Sequence, residues 1–496
     1  MHKALILLFF VFVVLSSSAF SASFKLSEQS LEEAAKKGSP QLDQIESAFL
    51  NASFKQGETQ QGYSPELFGR GSYSETNERA LIEFQPIFSP IKQMQLGVRQ
   101  NFTNGLDTSA YVVTDQRSAT VPFAGKLRDA TTSTLAFTVQ MDIWKNLFGR
   151  NSKAEVETAG FEKKRAAIEK DIQTKTFKIA LRRLYWSLVA NKEALNISEE
   201  LLKTAQTQLS ETNRRFQNAV AEADEVARYE AQAASRQGTI LYLKYQKETF
   251  LKQLKNLLPE LAKFEIELDE YDLNQTMTEV LACTATIAQN PRVPFDYTQY
   301  DEAVALLRKI RTNNSMINSR YADADVKLFG TVKATGVGSE ETDNGYRGSY
   351  RQSFDDIHST NRTGYEVGVS FTLPLGDVKE GTQKIKELYD EKRLLASINN
   401  TDAQVVTTHQ QLVKSIGLLT DVISSQRITS SQLGKRLKLV RKKYEQARVS
   451  VNDLVNDQDA LLNSELTTID TQLQILNTLF DYLVVFTETP CPFNRI

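Results

Sequence analysis

Leu181, Leu188, Leu195, Leu202, Leu209 and Phe216 recur at every seventh position, with Leu184 and Ala205 on the adjoining seam. Leu433, Leu437, Val440, Tyr444, Ala447, Val451 and Leu454 alternate spacings of four and three; Leu462, Leu466, Ile469, Leu473, Leu476 and Phe480 do so again. Sustained heptads predict helices packed along their length as coiled coils. No Gly or Pro occurs from Phe161 to Gln237, from Thr239 to Leu258, or from Lys435 to Thr489. The first of these stretches, 77 residues, would extend roughly 115 Å as helix at 1.5 Å per residue, far beyond an ordinary globular helix.

A second period, of two, precedes each helical block. Met94, Leu96, Val98 and Phe102 alternate with Gln93, Gln95, Arg99 and Asn101, and Asn104-Gly105 is a hairpin signal. Leu135, Phe137, Val139, Met141 and Ile143 alternate with Ala136, Thr138, Gln140 and Asp142. Val326, Leu328, Val332 and Ala334 alternate with Lys327, Phe329, Thr331 and Lys333; Tyr365, Val367, Val369 and Phe371 alternate with Glu366, Gly368, Ser370 and Thr372. Strands about ten residues long, apolar on one face and polar on the other, fit a transmembrane β-barrel. They equally fit a half-buried soluble sheet. Gly336–Gly364, rich in Gly, Ser, Asn, Asp and Arg, is expected to be a long solvated loop.

The two halves repeat at an offset of 228 residues, as Val139 and Val367, Leu209 and Leu437, Phe216 and Tyr444, Ala219 and Ala447, and Glu225 and Asp453 illustrate. The expected organisation is a signal segment over 1–21 and a first repeat over 22–260, with strands about 66–143 and a helical hairpin about 151–258. A second repeat covers 261–496, with strands about 326–373 and a hairpin about 378–489.

The amino terminus changes the picture. His2 and Lys3 precede the apolar run Ala4–Leu15 and the small-residue stretch Ser16–Ala22. That order predicts a secretory signal peptide cleaved near Ser21, an uncleaved anchor being the other reading. An exported chain with no second long apolar span is either soluble or a barrel. Net charge is -2, from 59 basic and 61 acidic residues, which argues against nucleic acid as partner. Cys283 and Cys491 could pair in an oxidising compartment. Three scattered histidines (His2, His358 and His409) suggest no transition-metal site. No nucleophile elbow, P-loop or cofactor motif is present, so neither enzymatic activity nor a cofactor is expected.

Two kinds of local motif carry a family resemblance. Strands lead into the helical blocks through Met141-Asp-Ile-Trp-Lys-Asn-Leu-Phe-Gly149 and Val369-Ser-Phe-Thr-Leu-Pro-Leu-Gly376. Helix reversals are suggested at Arg215-Phe-Gln-Asn-Ala219, followed by Asp224-Glu225-Val226, and at Lys443-Tyr-Glu-Gln-Ala447, followed by Asp453-Leu454. Together with the double repeat, these resemble the TolC family of outer-membrane efflux proteins. The chain departs from the family in having Ala219 and Ala447 where tip glycines stand. Leu67–Arg117 also holds extra strand-like sequence: one long bent strand, or an added hairpin.

The resemblance implies a mixed α/β membrane protein: a homotrimer with four strands per chain in one twelve-stranded outer-membrane barrel, continued by a coiled-coil α-helical barrel across the periplasm of a Gram-negative bacterium. It implies an exit duct for an efflux or type I secretion system, with a periplasmic adaptor, an inner-membrane pump and outer-membrane lipid as partners. The substrate stays open. The tips would meet the adaptor at Ala219, Val220, Ala447 and Arg448. The constriction would involve Asp453 and Asn456, with Asp457 and Asp459 nearby, a Tyr444 to Glu225 link between hairpins, and Arg448 beside the family's basic position, Val449. Each has a plainer reading: Asp453 as a helix-terminal charge, Tyr444 as seam packing, Arg448 as a solvated cation. Ser450 with Asp453 also resembles a capping box, and Asp224 an N-cap. A periplasmic coiled-coil adaptor or scaffold is the alternative function.

Overall fold

Both periods return as backbone: the heptad blocks as paired helices, the alternating blocks as strands of one sheet. The computed structural model describes residues 23–76, 87–120, 127–289, 299–342, 345–358, 362–373, 377–446 and 448–486. The expected signal segment, Cys491 and Ala447 lie outside them. The chain divides into two compact units, one within 1–48, 168–302 and 401–496, the other within 49–167 and 303–400. Each draws on both halves of the chain.

The first unit is mainly helical. Strand β1 (Ser23–Leu26) pairs in parallel with β6 (Glu265–Leu268). Around them stand α1 (Glu28–Gly38), α4 (Ala223–Leu257), α5 (Leu273–Gln289) and α9 (Val451–Val485), with the larger parts of α3 (Arg150–Gln217) and α8 (Asp377–Glu445). The 228-residue offset recurs here: α8 ends at Glu445 and α9 spans Val451–Val485, against Gln217 and Ala223–Leu257. Leu26, Leu31, Phe177, Leu181, Trp186, Met277, Cys283, Ile416 and Phe480 share one core. Along the first seam Leu181, Leu188 and Leu195 are buried, whereas Phe216, near the end of α3, is exposed. Glu28 fastens α1 to α3 by accepting from Arg182 Nη2 at 2.8 Å and from the Trp186 indole. His409 is buried edge-on to Phe486, and burial lowers its pKa. Among the described residues, no helix is long and apolar enough to cross a membrane.

The second unit carries the sheet, with β2 (Glu66–Ser74), β3 (Ile87–Asn101), β4 (Leu106–Thr120), β5 (Leu127–Asp142), β7 (Asp325–Thr342), β8 (Gly345–Gly348) and β9 (Thr363–Thr372). Its order is β2-β3-β4-β5-β8-β7-β9, with β5 also paired directly to β7. Among the described residues the sheet thus holds more strands than the four per chain implied by the resemblance. The extra sequence between Leu67 and Arg117 forms an added hairpin: β2 pairs with β3, and β3 turns at Asn104-Gly105 into β4. Six long strands result, joined by the four-residue β8. Most of α2 (Pro40–Gln61) and of α6 (Gln299–Asn318) also lie in this unit. Val304, Leu307 and Ile310 of α6 pack there with Phe161, Leu394 and Ile398.

Register sorts the sheet by chemistry. Leu67, Leu96, Val112, Leu135, Val332 and Tyr365 share one face, as do Val98, Ala110, Phe137, Leu328 and Val369. Opposite lie Glu66, Arg99, Ser109, Thr138, Thr331 and Glu366. The apolar side chains are not covered by a core: Met94 is 68% exposed, Val367 73% and Tyr365 86%.

Among its described residues, the segment expected to be a solvated loop is largely strand and helix instead. Strand β7 continues to Thr342, β8 follows, and α7 (Tyr350–Ile357) packs back onto the sheet. Gly336 and Gly338 permit this: a Cβ at either would stand 2.1 Å from a carbonyl oxygen, Ser353 O or Ser349 O respectively.

The strand-to-helix junction depends on one glycine. Asn146 Oδ1 accepts from the Asn151 and Ser152 amides at 2.9 and 3.2 Å, satisfying the start of α3. Gly149 has φ +73°, and a Cβ there would lie 1.8 Å from Thr103 O in the β3–β4 turn. Gly149→Ala should therefore destabilise the protein by more than ~2 kcal/mol, combining backbone strain with displacement of that turn. Thermal unfolding followed by circular dichroism checks this; an unchanged midpoint would remove the junction's importance.

Candidate gate and hairpin tips

The first hairpin reverses without glycine. Ala219 takes the left-handed conformation itself, at φ +57°. Its amide donates to Phe216 O at 2.9 Å and the Val220 amide to Arg215 O at 2.8 Å, closing the last turn of α3. Val220 is 65% exposed. The N-cap of α4 is Glu222, whose side chain makes no capping hydrogen bond. Asp224, expected as the cap, lies instead in the first turn beside Glu225, where both carboxylates favour the positive end of the helix dipole.

The second reversal has the expected cap. Ser450 Oγ accepts from the Asp453 amide at 3.3 Å, and Asp453 Oδ2 accepts from the Ser450 amide at 3.1 Å and from its hydroxyl at 2.7 Å. The Ser450 hydroxyl, then its amide, holds the Asp453 pKa below the usual carboxylate value. The Asp453 carboxylate is thus an ionised, exposed group fixed by its own helix start. Asn456 lies one turn on and donates to Asn452 Oδ1 at 3.4 Å. Arg448 is exposed, and its amide donates to Lys443 O at 2.8 Å.

Tyr444 does more than fill the seam. Its ring packs with Leu209, Tyr229, Val451 and Val455. Its hydroxyl accepts from Arg215 Nη1 at 2.9 Å, the guanidinium carbon lying 5.8 Å from the ring centroid. The acid paired with Tyr444 by the resemblance, Glu225, makes no hydrogen bond to it; Glu225 Oε2 is buried without a hydrogen-bond partner. Arg215 thus holds the position across from Tyr444.

A polar stripe between α4 and α9 was not anticipated. Tyr229, Gln232 and Arg236 are each at most 5% exposed. Burial, then the neighbouring Tyr444, raises the Tyr229 pKa. Gln232 Nε2 donates to Gln458 Oε1 at 3.1 Å, and Arg236 Nη2 to Asp459 Oδ1 at 2.7 Å. Asp457 is buried against Arg436, whose Nη2 is 2.9 Å from its Oδ1. Both acids near Asn456 are therefore ion-paired, Asp457 to α8 within its own hairpin and Asp459 across to α4. The sequence signal was available: positions 229, 232 and 236 follow helical spacing, so three polar residues share a face. Among the described residues, no group of three or more His, Cys, Asp or Glu side chains is placed to hold a metal ion.

No protein-family model matches the sequence, and no curated protein matches it. Solved structures do match. The outer membrane protein VceC of Vibrio cholerae aligns with TM-score 0.62 and 16% identity, over 92% of this chain and 95% of its own. The CmeC outer membrane channel of Campylobacter jejuni aligns with TM-score 0.59 and 13% identity, over 94% of this chain and 89% of its own. The open state of the Neisseria gonorrhoeae MtrE outer membrane channel aligns with TM-score 0.57 and 16% identity, over 92% and 88%. The fold is that of these outer-membrane channels, which agrees with the TolC resemblance.

The tips yield two tests. Ala219→Gly should stabilise the first reversal by up to ~1 kcal/mol, because relief of left-handed strain (~1–2 kcal/mol) exceeds the added unfolded-state entropy. Slower amide exchange in the last turn of α3 would show it. The lowered Asp453 pKa makes its cap pH-dependent: its stabilisation is complete above the ordinary carboxylate pKa and is lost as pH falls through the lowered value. Protection of the amides at the start of α9, relative to their intrinsic exchange rates, should fall across that acid window in wild type and not in Asp453→Asn.

Proposed function

We propose that this chain, which has the fold of solved outer-membrane channels, is itself an outer-membrane exit channel that passes substrates from an inner-membrane pump across the periplasm. The carrying observation is the sheet. It exposes an uncharged apolar face along the middle of its six long strands and a polar face opposite. Water disfavours the first, whereas a bilayer outside and an aqueous lumen inside suit both.

A bilayer also forbids unpaired sheet edges. Strands β2 and β9 end the sheet, so copies of the chain would pair β9 of one against β2 of the next. Closed three-fold symmetry, as the TolC resemblance implies, would complete the barrel with six long strands from each chain. The helical pairs would then extend into the periplasm as a coiled-coil tunnel. The reversals at Ala219–Val220 and Ala447–Arg448 would meet a periplasmic adaptor. The Asp453 carboxylates would ring the entrance beside Asn456, favouring cations. The contacts of Tyr444 and Arg215, with Glu225 beside them, would tie the hairpins in the closed state. The reaction is transport, not catalysis, and the partner pump would set the substrate.

Purified protein in a planar bilayer tests this. Small, cation-preferring openings in wild type, with that preference lost in Asp453→Ala, are the expected result. Channels indifferent to the substitution would keep the duct and discard the Asp453 ring. A water-soluble monomer that forms no channels would favour the periplasmic scaffold instead.

A further inference from the structure

The apolar face has a measurable height. From Ile143, whose amide donates to Val326 O at the helix-joined end, β5 runs outward on this face through Met141, Val139, Phe137 and Leu135 to Ser133. The ten steps from 143 to 133, at ~3.4 Å each and tilted about 40°, rise roughly 26 Å, close to the ~25 Å apolar band of transmembrane barrels. Trp144, 60% exposed, marks the inner limit. At the outer limit the character changes. The positions on β4, β5 and β7 are Thr114, Gln116, Thr131, Ser133, Gly336 and Gly338, with no aromatic among them. Barrels place aromatic girdles at both interfaces, where a ring with a polar edge suits the headgroup boundary.

Helix α7 covers those positions. It docks on the apolar face of the sheet: Ser353 Oγ lies 2.7 Å from Ser133 Oγ, and Asp356 Oδ2 accepts from the Val337 amide at 2.8 Å. Ser353 is buried, and Gly336 and Gly338 underlie the helix backbone. Tyr350 and Phe354, one turn apart, are each 43% exposed. The Tyr350 hydroxyl donates to Gln116 Oε1 at 3.2 Å, so its ring reaches over β4. Tyr73 on β2, 61% exposed, stands at the same register level through Lys92, Gln116 and Thr131.

We propose that α7 is an interfacial helix, resting at the outer edge of the apolar band with Tyr350 and Phe354 in the glycerol and headgroup layer of the outer leaflet. It supplies the aromatic girdle that β4, β5 and β7 lack there. This rests on the lipid-facing reading of the apolar face. Its occupant is membrane lipid, chosen because Tyr350 and Phe354 stand exposed on the same face as the apolar band and at the height where the band ends.

The full chain, reconstituted into phosphatidylcholine vesicles brominated at shallow or deep acyl positions, tests it. In a Trp144→Phe background the remaining Trp186 is buried in the helical unit. Phe354→Trp should emit blue-shifted light and be quenched more by shallow than by deep bromines. Leu96→Trp, in mid-band, should show the opposite depth preference. Tyr350→Trp repeats the test should Phe354→Trp fail to fold. Quenched Leu96→Trp beside a Phe354→Trp that is unquenched by bromine and open to aqueous iodide would overturn the interfacial helix while keeping the lipid-facing band. If neither is quenched, the lipid-facing reading falls as well.

Discussion

Side chains on a strand alternate between faces, so a one-residue slip between any two strands would exchange apolar and charged positions across a face. That constraint governs the sheet of this protein. The register from β2 through β9 aligns Leu67, Leu96, Val112, Leu135, Val332 and Tyr365 on one side, with Glu66, Arg99 and Glu366 on the other. The added β2–β3 hairpin obeys the same parity, so it widens the sheet without breaking its two-faced character. Glycines serve the register as well. Phe68 and Tyr111 fill the space over Gly97, and Phe329 does so over Gly368, so both polar-face gaps are closed by a neighbouring ring.

The helical unit follows a different constraint, satisfaction of helix ends. Ala219 accepts a left-handed backbone to close α3, whereas Ser450 and Asp453 close the start of α9 reciprocally. In Asp453 the capping reading and the charged-tip reading describe one group, since the hydrogen bonds that cap the helix also keep the carboxylate ionised. Tyr444 likewise both packs and accepts a hydrogen bond. The alternatives that sequence left open at these two positions are compatible in three dimensions.

Much of this was legible. Heptads marked the long helices because buried seams must recur with the helix turn. The Ser450–Asp453 spacing marked a cap because N3 reaches back to the N-cap. The tip contacts were less legible. Arg215 meeting Tyr444, and Gln232 and Arg236 meeting Gln458 and Asp459, join residues more than two hundred positions apart. Their partners depend on how α3 lies against α8 and α4 against α9. The helix α7 was missed because a glycine- and polar-rich stretch has the composition of a loop; Gly336 and Gly338 serve there as a close-packing surface.

By itself, the sequence determined the long helices, the strands marked by alternation, the doubling of the unit, and the apolar and polar side of those strands. These follow from local periodicity, which needs no partner to be named. Tertiary structure decided how many strands join the sheet, which apolar faces align, where α7 docks, and which polar side chains pair across the hairpins. Those outcomes depend on register and on contacts between distant segments, where a shift of one residue changes every partner while the sequence pattern stays the same.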